Sequence, residues 1–148
     1  MATDRRAEVT WSGDLTSGSG TVESVGSGAF DPFRVTWASR TGEEDGLSSP
    51  EELIAAAHAS CFSMALASGL AKGGTPPESL STSATVTFEP GTGITRSVLD
   101  VQGNVPGIDE AAFRDAAETA KENCPVSQAL KGNVELEVRA RLQSSAGG

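Results

Sequence analysis

Apolar and polar residues alternate over short stretches in the first third of the chain, which predicts β-strands there. The segments 7–11, 20–25 and 32–37 alternate or run through β-branched residues, and Gly, Ser and Asp separate them. The stretch 40–49, RTGEEDGLSS, is polar and rich in turn-forming residues, so it is predicted to be a loop. Three short strands are therefore expected, followed by a polar connection.

A long helical pattern follows this connection. Ser49 is a good N-cap, Pro50 suits the first helical position, and Glu52 completes a Ser-x-x-Glu capping box. Apolar residues then cover most of the helix surface until Gly73 and Gly74 end the pattern. Such a helix is typical of a protein interior, and it needs cover on more than one side. A single domain can provide that cover, but a dimer provides it more easily.

The rest of the chain returns to strands around a second helix. Two strands are predicted at 82–90 and 94–105, with a Gly-Thr-Gly hairpin signal between them. An amphipathic helix begins near Asp109 and must stop or kink at Cys124, because the proline that follows disfavours helical geometry there. A short helical turn and a strictly alternating strand at 133–142 complete the pattern.

The predicted order of elements is βββ-α-ββ-α-β. It indicates an α+β domain with a mostly antiparallel sheet packed on helices. Of the residues, 37% are apolar and 21% are charged, an ordinary globular mixture. A length of 148 residues suits one domain spanning 1–148, with a loose tail at about 143–148.

The charge balance excludes several classes of partner. A net charge of -9 and a pI near 4.5 argue against nucleic acid, since phosphate binding needs clustered Lys and Arg. The same charge argues against an anionic membrane surface, and we expect no membrane association. The two N-terminal arginines have no apolar stretch behind them, so no signal peptide is expected and the protein is predicted to be cytoplasmic.

The two cysteines are the first candidates for chemistry. Cys61 and Cys124 stand with a single histidine, so they cannot form a four-ligand zinc site. A permanent disulfide is not expected in a reducing compartment, so the pair is either two buried thiols or a redox couple. Burial is the simpler interpretation of Cys61. Cys124 lies at a predicted helix break, where a thiol has freedom to approach another sulfur. The spacing does not decide between the two interpretations.

Two kinds of side chain are candidates to activate Cys61. His58 precedes it by one helical turn, and a Cys–His pair indicates a hydrolase or acyl transferase, although no third, orienting group is evident. The structural interpretation is that His58 simply packs beside the thiol. An arginine would instead lower the thiol pKa through its permanent charge, and Arg34 and Arg40 are the candidates. Glu51 either orients Arg40 or only favours the positive end of the helix dipole.

The segments SPEELIAAAHASCFSMAL and NCPVSQALKGNVELEV together resemble the OsmC/Ohr family of osmotically inducible and organic-hydroperoxide-resistance proteins. The resemblance extends from AEVTWSGDLTSGSGTV to the final strand, and the arginine just before the PEEL helix is more similar to the OsmC branch. It implies an OsmC-like α+β fold and an intertwined homodimer whose cysteine-bearing helices lie at its centre.

The resemblance also implies an activity and a set of site residues. It implies a two-cysteine thiol peroxidase that reduces organic hydroperoxides, and hydrogen peroxide less well, in oxidative or osmotic stress defence. By motif match Cys61 is the peroxidatic cysteine, Cys124 the resolving cysteine, Arg40 the activating arginine and Glu51 its carboxylate partner, with Arg34 as the alternative arginine. The implied chemistry requires no metal and no bound cofactor, and an external dithiol, preferably of the lipoyl type, restores the thiols.

Helix geometry adds one hypothesis about the dimer. Glu51 and Cys61 are about ten residues apart on one predicted helix, so about 15 Å separates them along its axis. Arg40 and Glu51 are therefore expected to serve Cys61 of the partner subunit. A non-enzymatic alternative also stands, namely a ligand-binding stress domain with two inert thiols.

Overall fold

The computed structural model describes residues 2–42 and 46–143. In chain order the elements are β1 Ala7–Ser12, β2 Ser19–Val25, β3 Phe33–Val35, α1 Trp37–Thr41, α2 Pro50–Lys72, β4 Ser79–Glu89, β5 Gly93–Asn104, α3 Glu110–Asn123, α4 Pro125–Leu130 and β6 Glu135–Leu142. The predicted α+β class is confirmed. Apart from Gln143, the predicted loose tail lies outside the described residues. The chain divides into two compact units, one up to Leu53 and one from Ile54.

The first unit contains the three-stranded antiparallel sheet β1-β2-β3. The predicted third strand is too long, because β3 ends at Val35 and Thr36 caps the short helix α1. Thr36 Oγ1 accepts from the Ser39 N–H at 3.0 Å, and Ser39 Oγ accepts from the Thr36 N–H at 2.9 Å. In this reciprocal capping box the backbone N–H groups of Thr36 and Ser39 find side-chain acceptors, where a strand would have paired them with a neighbouring strand. The local helix therefore forms despite the β-branched residues that favour a strand. Part of the predicted loop 40–49 is therefore helical instead.

The second unit contains the three-stranded sheet β4-β5-β6. Strands β4 and β5 form a long antiparallel hairpin, whereas β6 pairs with β5 in parallel. Parallel neighbours require a crossover, and α3 and α4 form it between Asn104 and Glu135. The predicted break at Cys124 is confirmed, since α3 ends at Asn123 and α4 begins at Pro125.

The core of the second unit lies between the sheet and helices α2 and α3. Its fully buried side chains include Phe62, Leu66, Leu99, Val101 and Phe113. The absence of a side chain at Gly103 makes room for one of them. A Cβ at Gly103 would lie 2.6 Å from the Phe113 ring, so only glycine lets α3 approach the strand this closely.

Helix α2 has one buried and one exposed side within this chain, although both are apolar. The buried side carries His58, Phe62, Leu66 and Leu70. The opposite side is a stripe of mostly small residues around an exposed methionine: Ala57, Ser60, Met64, Ser68 and Ala71. By length and composition α2 would also be able to cross a membrane, but the core helices of soluble proteins pass the same test. Its apolar character around the whole helix is therefore explained only in part by the packing of one chain.

Candidate active site

Arg40 and Glu51 form an ion pair within the first unit. Arg40 stands in the last turn of α1, and its Nε lies 3.0 Å from both carboxylate oxygens of Glu51, with Nη2 2.9 Å from Oε2. Glu51 is 6% exposed, and a buried carboxylate needs such a partner. The guanidinium also lies over the Trp37 ring, 5.9 Å from its centroid. Arg40 is therefore held in one orientation by a carboxylate and an aromatic ring.

The start of α2 fixes Glu51 in this pair. Ser49 Oγ accepts from the Glu52 N–H at 3.1 Å, which is the expected N-cap bond. The Glu52 carboxylate accepts from Ser48 Oγ at 2.9 Å, so it stabilises the residue before the cap. Ser39 Oγ donates to the Ser48 carbonyl at 2.7 Å and joins α1 to this start. Glu51 is thereby directed inward at the first turn of the helix.

Arg34 has a different position. It stands in the middle of β3, paired with Thr21, and its side chain is exposed. Of the two candidate arginines, the structure brings Arg40 to Glu51.

The two cysteines meet in the second unit. Cys61 stands on α2 and is half-buried, whereas Cys124 is fully buried at the junction of α3 and α4. The Cys124 side chain and the Val126 N–H both lie within hydrogen-bonding reach of the Cys61 thiol. Since Cys124 precedes α4 and Val126 is its second residue, the start of this helix carries both the second thiol and an amide donor toward Cys61. The structure thus brings together two cysteines that the sequence spacing left apart.

The surroundings of Cys61 in this unit favour its neutral form. Burial raises the pKa of the Cys61 thiol, and the hydrogen bond and charge of Cys124 raise the pKa further. The Val126 N–H acts the other way, because it donates to the thiolate. A positive charge near the sulfur would oppose the effect of burial and favour the thiolate.

His58 is occupied by partners other than the thiol. Its Nδ1 lies 2.7 Å from Ser97 Oγ on β5, and its Nε2 lies 2.8 Å from Ser127 Oγ on α4. All three side chains are buried, and burial lowers the pKa of His58. Both ring nitrogens thus contact serine hydroxyls, which favours the structural interpretation of His58 over its role as a base for Cys61. The two serines gave no signal in the sequence, because neither belongs to a motif that carries chemistry.

Within residues 2–42 and 46–143, no three His, Cys, Asp or Glu side chains are grouped so that they could hold a metal ion. The chemistry available to these residues is that of a thiol pair and a separately held arginine–carboxylate pair.

An α+β fold with two thiols in contact at the junction of two helices defines a class of dithiol proteins. Comparison with protein families identifies this class more closely. Residues 42–139 match the model of the family described as OsmC-like protein. The chain belongs to this family.

Individual relatives agree with the assignment. The chain is 39% identical over 144 residues to peroxiredoxin OsmC of Escherichia coli K12, covering 95% of this chain and 99% of that protein. An OsmC-like protein of unknown function from Vibrio cholerae superposes with a TM-score of 0.72 at 20% identity, covering 94% of this chain and 99% of that chain. An organic hydroperoxide resistance protein OsmC from Legionella pneumophila gives a TM-score of 0.68 at 22% identity, covering 92% and 96%. At these identities the two structures support the fold alone.

Proposed function

We propose that the protein is a two-cysteine peroxidase that reduces organic hydroperoxides to alcohols in stress defence. The observation that carries this proposal is the contact between Cys61 and Cys124. The family and the 39% identity to a peroxiredoxin support a peroxidase-type enzyme. A half-buried thiol in contact with a buried one also has what a single inert cysteine lacks, a second sulfur able to condense with an oxidised one.

The first step of the proposed reaction is attack on the peroxide. The Cys61 thiolate attacks the outer peroxide oxygen and the O–O bond breaks. The alkoxide leaves and takes up a proton to become the alcohol, and Cys61 becomes a sulfenic acid.

In the second step the Cys124 sulfur attacks the sulfenic sulfur. The hydroxyl group leaves as water with the thiol proton, and a disulfide joins Cys61 to Cys124. An external dithiol, for which we propose the lipoyl type, then reduces this disulfide through a mixed disulfide and is itself oxidised.

Activation of Cys61 is assigned to Arg40, held by Glu51. The support is the ion pair itself, which holds a permanent cation in a fixed orientation. Such a cation near Cys61 would oppose the effect of burial, which raises the pKa of that thiol. Glu51 and Cys61 stand about ten residues apart on α2, so about 15 Å of helix separates them. We therefore assign this role to Arg40 of the partner subunit. A structure with Arg40 and Cys61 of one chain in contact would exclude this assignment.

The proposed homodimer rests on the exposed stripe of α2. Met64 is 72% exposed, and the residues around it are small enough for another helix to approach closely. A second copy of the same helix would cover this side and explain why α2 is apolar all round. The assembly is proposed to be cytoplasmic, where thiol reductants are present.

An open groove one helical turn from each cysteine is proposed to hold the organic part of the substrate. The groove has a volume of about 480 Å³ and lies between α2 and α3; Ala65, Ala116 and Ala120 line it together with the charged Lys72 and Asp115, whereas the two cysteines are not among its lining residues. Ala65 follows Cys61 by one helical turn, and Ala120 precedes Cys124 by one turn. Such a volume suits an organic group attached to the peroxide, since hydrogen peroxide itself needs far less space.

The test is stoichiometric oxidation of the reduced protein by cumene hydroperoxide, followed by intact mass. The wild type should lose two hydrogens rapidly, whereas Cys124→Ser should gain one oxygen as a trapped sulfenic acid. Cys61→Ser serves as the matched control and should remain unoxidised. Absence of reaction in the wild type would favour the ligand-binding domain with inert thiols. An essential His58 with a dispensable Cys124 would instead favour the hydrolase.

A further inference from the structure

A buried imidazole connects three elements around the thiol pair. His58 stands on α2, Ser97 on β5 and Ser127 on α4, and each serine hydroxyl lies within 2.8 Å of one ring nitrogen. His58 and Ser97 are both 0% exposed, and Ser127 is 1% exposed. A neutral imidazole donates through one nitrogen and accepts through the other, so both hydrogen bonds are satisfied without a charge. The peroxidase steps proposed above do not use this group.

The position of this connection relates it to the cysteines. His58 precedes Cys61 by one turn on α2, and Ser127 follows Cys124 by about one turn on α4. The hydrogen bond between His58 and Ser127 therefore lies next to the contact between the two thiols. Both contacts join α2 to the start of α4.

Helix α4 has little of its own to hold Cys124 in place. It is 6 residues long, and Cys124 at its N-cap makes no side-chain capping bond. Helices this short are marginal unless tertiary contacts fix them. The bond from Ser127 to His58 is a buried polar contact of α4 with α2, and it acts where α4 begins. Loss of it would weaken the hold of α2 on this segment, which would keep the core packing of Cys124 and Val126 and its backbone hydrogen bonds.

We propose that His58, acting through Ser127, is a positioning residue for the condensation of Cys124 with oxidised Cys61. The inference rests on the proposed peroxidase function and assigns His58 to its second step. In that step Cys124 gives up its thiol proton, the sulfenic hydroxyl leaves as water, and the S–S bond forms. His58 touches neither sulfur in this role. It keeps α4 against α2, so that Cys124 stays within reach while Cys61 reacts.

The first measurement leaves peroxide out, so it tests the positioning separately from the peroxidase chemistry. Reduced protein is equilibrated with mixtures of reduced and oxidised glutathione, and the fraction of Cys61–Cys124 disulfide gives the effective concentration of one thiol toward the other. Two protein thiols are oxidised as one oxidised glutathione becomes two reduced molecules. Ser127→Ala should lower the effective concentration by about 3- to 10-fold, the factor expected for one net hydrogen bond.

Ser63→Ala is the matched control. Ser63 stands on α2 two residues after Cys61, and its hydroxyl lies 2.7 Å from Thr82 Oγ1 on β4 and 2.8 Å from the Ala59 carbonyl. The variant loses a serine hydroxyl that joins α2 to another element but keeps the contact between α2 and α4. Its effective thiol concentration should equal that of the wild type. A similar decrease in both variants, or none in Ser127→Ala, would overturn the positioning role.

The second measurement follows oxidation by graded cumene hydroperoxide. In Ser127→Ala the condensation should slow by more than Cys61 oxidation does, since the start of α4 also carries the Val126 N–H near Cys61. A larger share of the protein should therefore become sulfinic acid at Cys61. An equal decrease in both steps would indicate general destabilisation and overturn the inference. If the wild type forms the disulfide with glutathione but does not react with peroxide, the proposed peroxidase is wrong and the assignment of His58 to condensation is overturned with it. A changed glutathione equilibrium in Ser127→Ala would then show only that Ser127 stabilises the Cys61–Cys124 disulfide, with no bearing on a peroxidase reaction.

Discussion

Arg40 meets the Glu51 carboxylate through two of its nitrogens, with Nε 3.0 Å from both oxygens and Nη2 2.9 Å from Oε2. Planar contact of this kind fixes the guanidinium, which a lysine ammonium would not reproduce. In the proposed peroxidase this guanidinium is the cation that opposes the effect of burial, which raises the pKa of the Cys61 thiol.

The first prediction concerns the rate of Cys61 oxidation. Arg40→Met should lower the second-order rate constant with cumene hydroperoxide by about 100-fold, because the charge that stabilises the thiolate and the developing alkoxide is removed. Arg40→Lys should recover only part of this loss, since it keeps the charge without the planar contact to Glu51. Stopped-flow measurement on the reduced protein provides the rate. Arg34→Met is the control and should react as the wild type does; if it is the slow variant, Arg34 is the activating arginine.

The second prediction concerns the titration of Cys61. In a Cys124→Ser background, alkylation of Cys61 by iodoacetamide should rise with pH as the thiolate forms. Adding Arg40→Met should move the midpoint to higher pH, because burial raises the pKa of Cys61 and the opposing cation is lost. Labelling at neutral pH should then be slower. An unchanged midpoint would mean that another group supplies the positive charge.

The third prediction concerns acid stability. Burial lowers the pKa of His58 in the folded chain from the ordinary value of 6.5. Between these two pKa values the unfolded chain binds a proton that the folded chain does not, so stability falls as pH falls below about 6.5 and stops falling once the folded pKa is passed. Each pKa unit by which burial lowers the pKa of His58 corresponds to about 1.4 kcal/mol in the free energy of unfolding.

The corresponding measurement is urea unfolding of wild type and His58→Gln as a function of pH. Glutamine removes the titrating group and keeps a polar side chain. The wild type should therefore lose more free energy of unfolding than His58→Gln as the solution is acidified from neutral pH. A difference that stays constant with pH would contradict the lowered pKa.

The fourth prediction concerns the dimer. Met64→Lys places a charge in the middle of the exposed stripe of α2, and a buried unpaired charge is costly at an interface. Sedimentation velocity should show a dimer for the wild type and a shift toward monomer for the variant. Glu89→Lys on β4 provides a control with the same added lysine at an exposed site away from the stripe. A monomeric wild type would remove the basis for assigning Arg40 to the partner subunit.

The sequence pattern predicted the larger elements well, because each has its own periodicity and end signals. Helix α2 begins at Pro50 behind the Ser49 cap, as expected, and α3 ends before Pro125. Helix α1 was not predicted. Thr36 and Ser39 form its capping box through side-chain bonds that no apolar periodicity reveals.

The site was predictable only as far as residue type and motif allow. The cysteines and the pairing of Arg40 with Glu51 were expected from the resemblance, but contact between the thiols depends on the α3–α4 crossover, and strand pairing decides its path. His58 is a similar case, because the sequence left open whether it serves as a base or as a structural residue. Helical spacing put it beside Cys61, whereas tertiary packing gave both of its nitrogens to serines from distant parts of the chain.

The parallel pairing of β5 with β6 also affects how a newly made chain reaches its reactive state. Cys124 lies in the crossover between these strands, so its place beside Cys61 is anchored at both ends only after β6 has been synthesised and has paired. During translation Cys61 emerges long before its partner has a fixed position. The anchoring of the two thiols beside each other is thus completed late in synthesis, together with the β6 side chains that pack against the core.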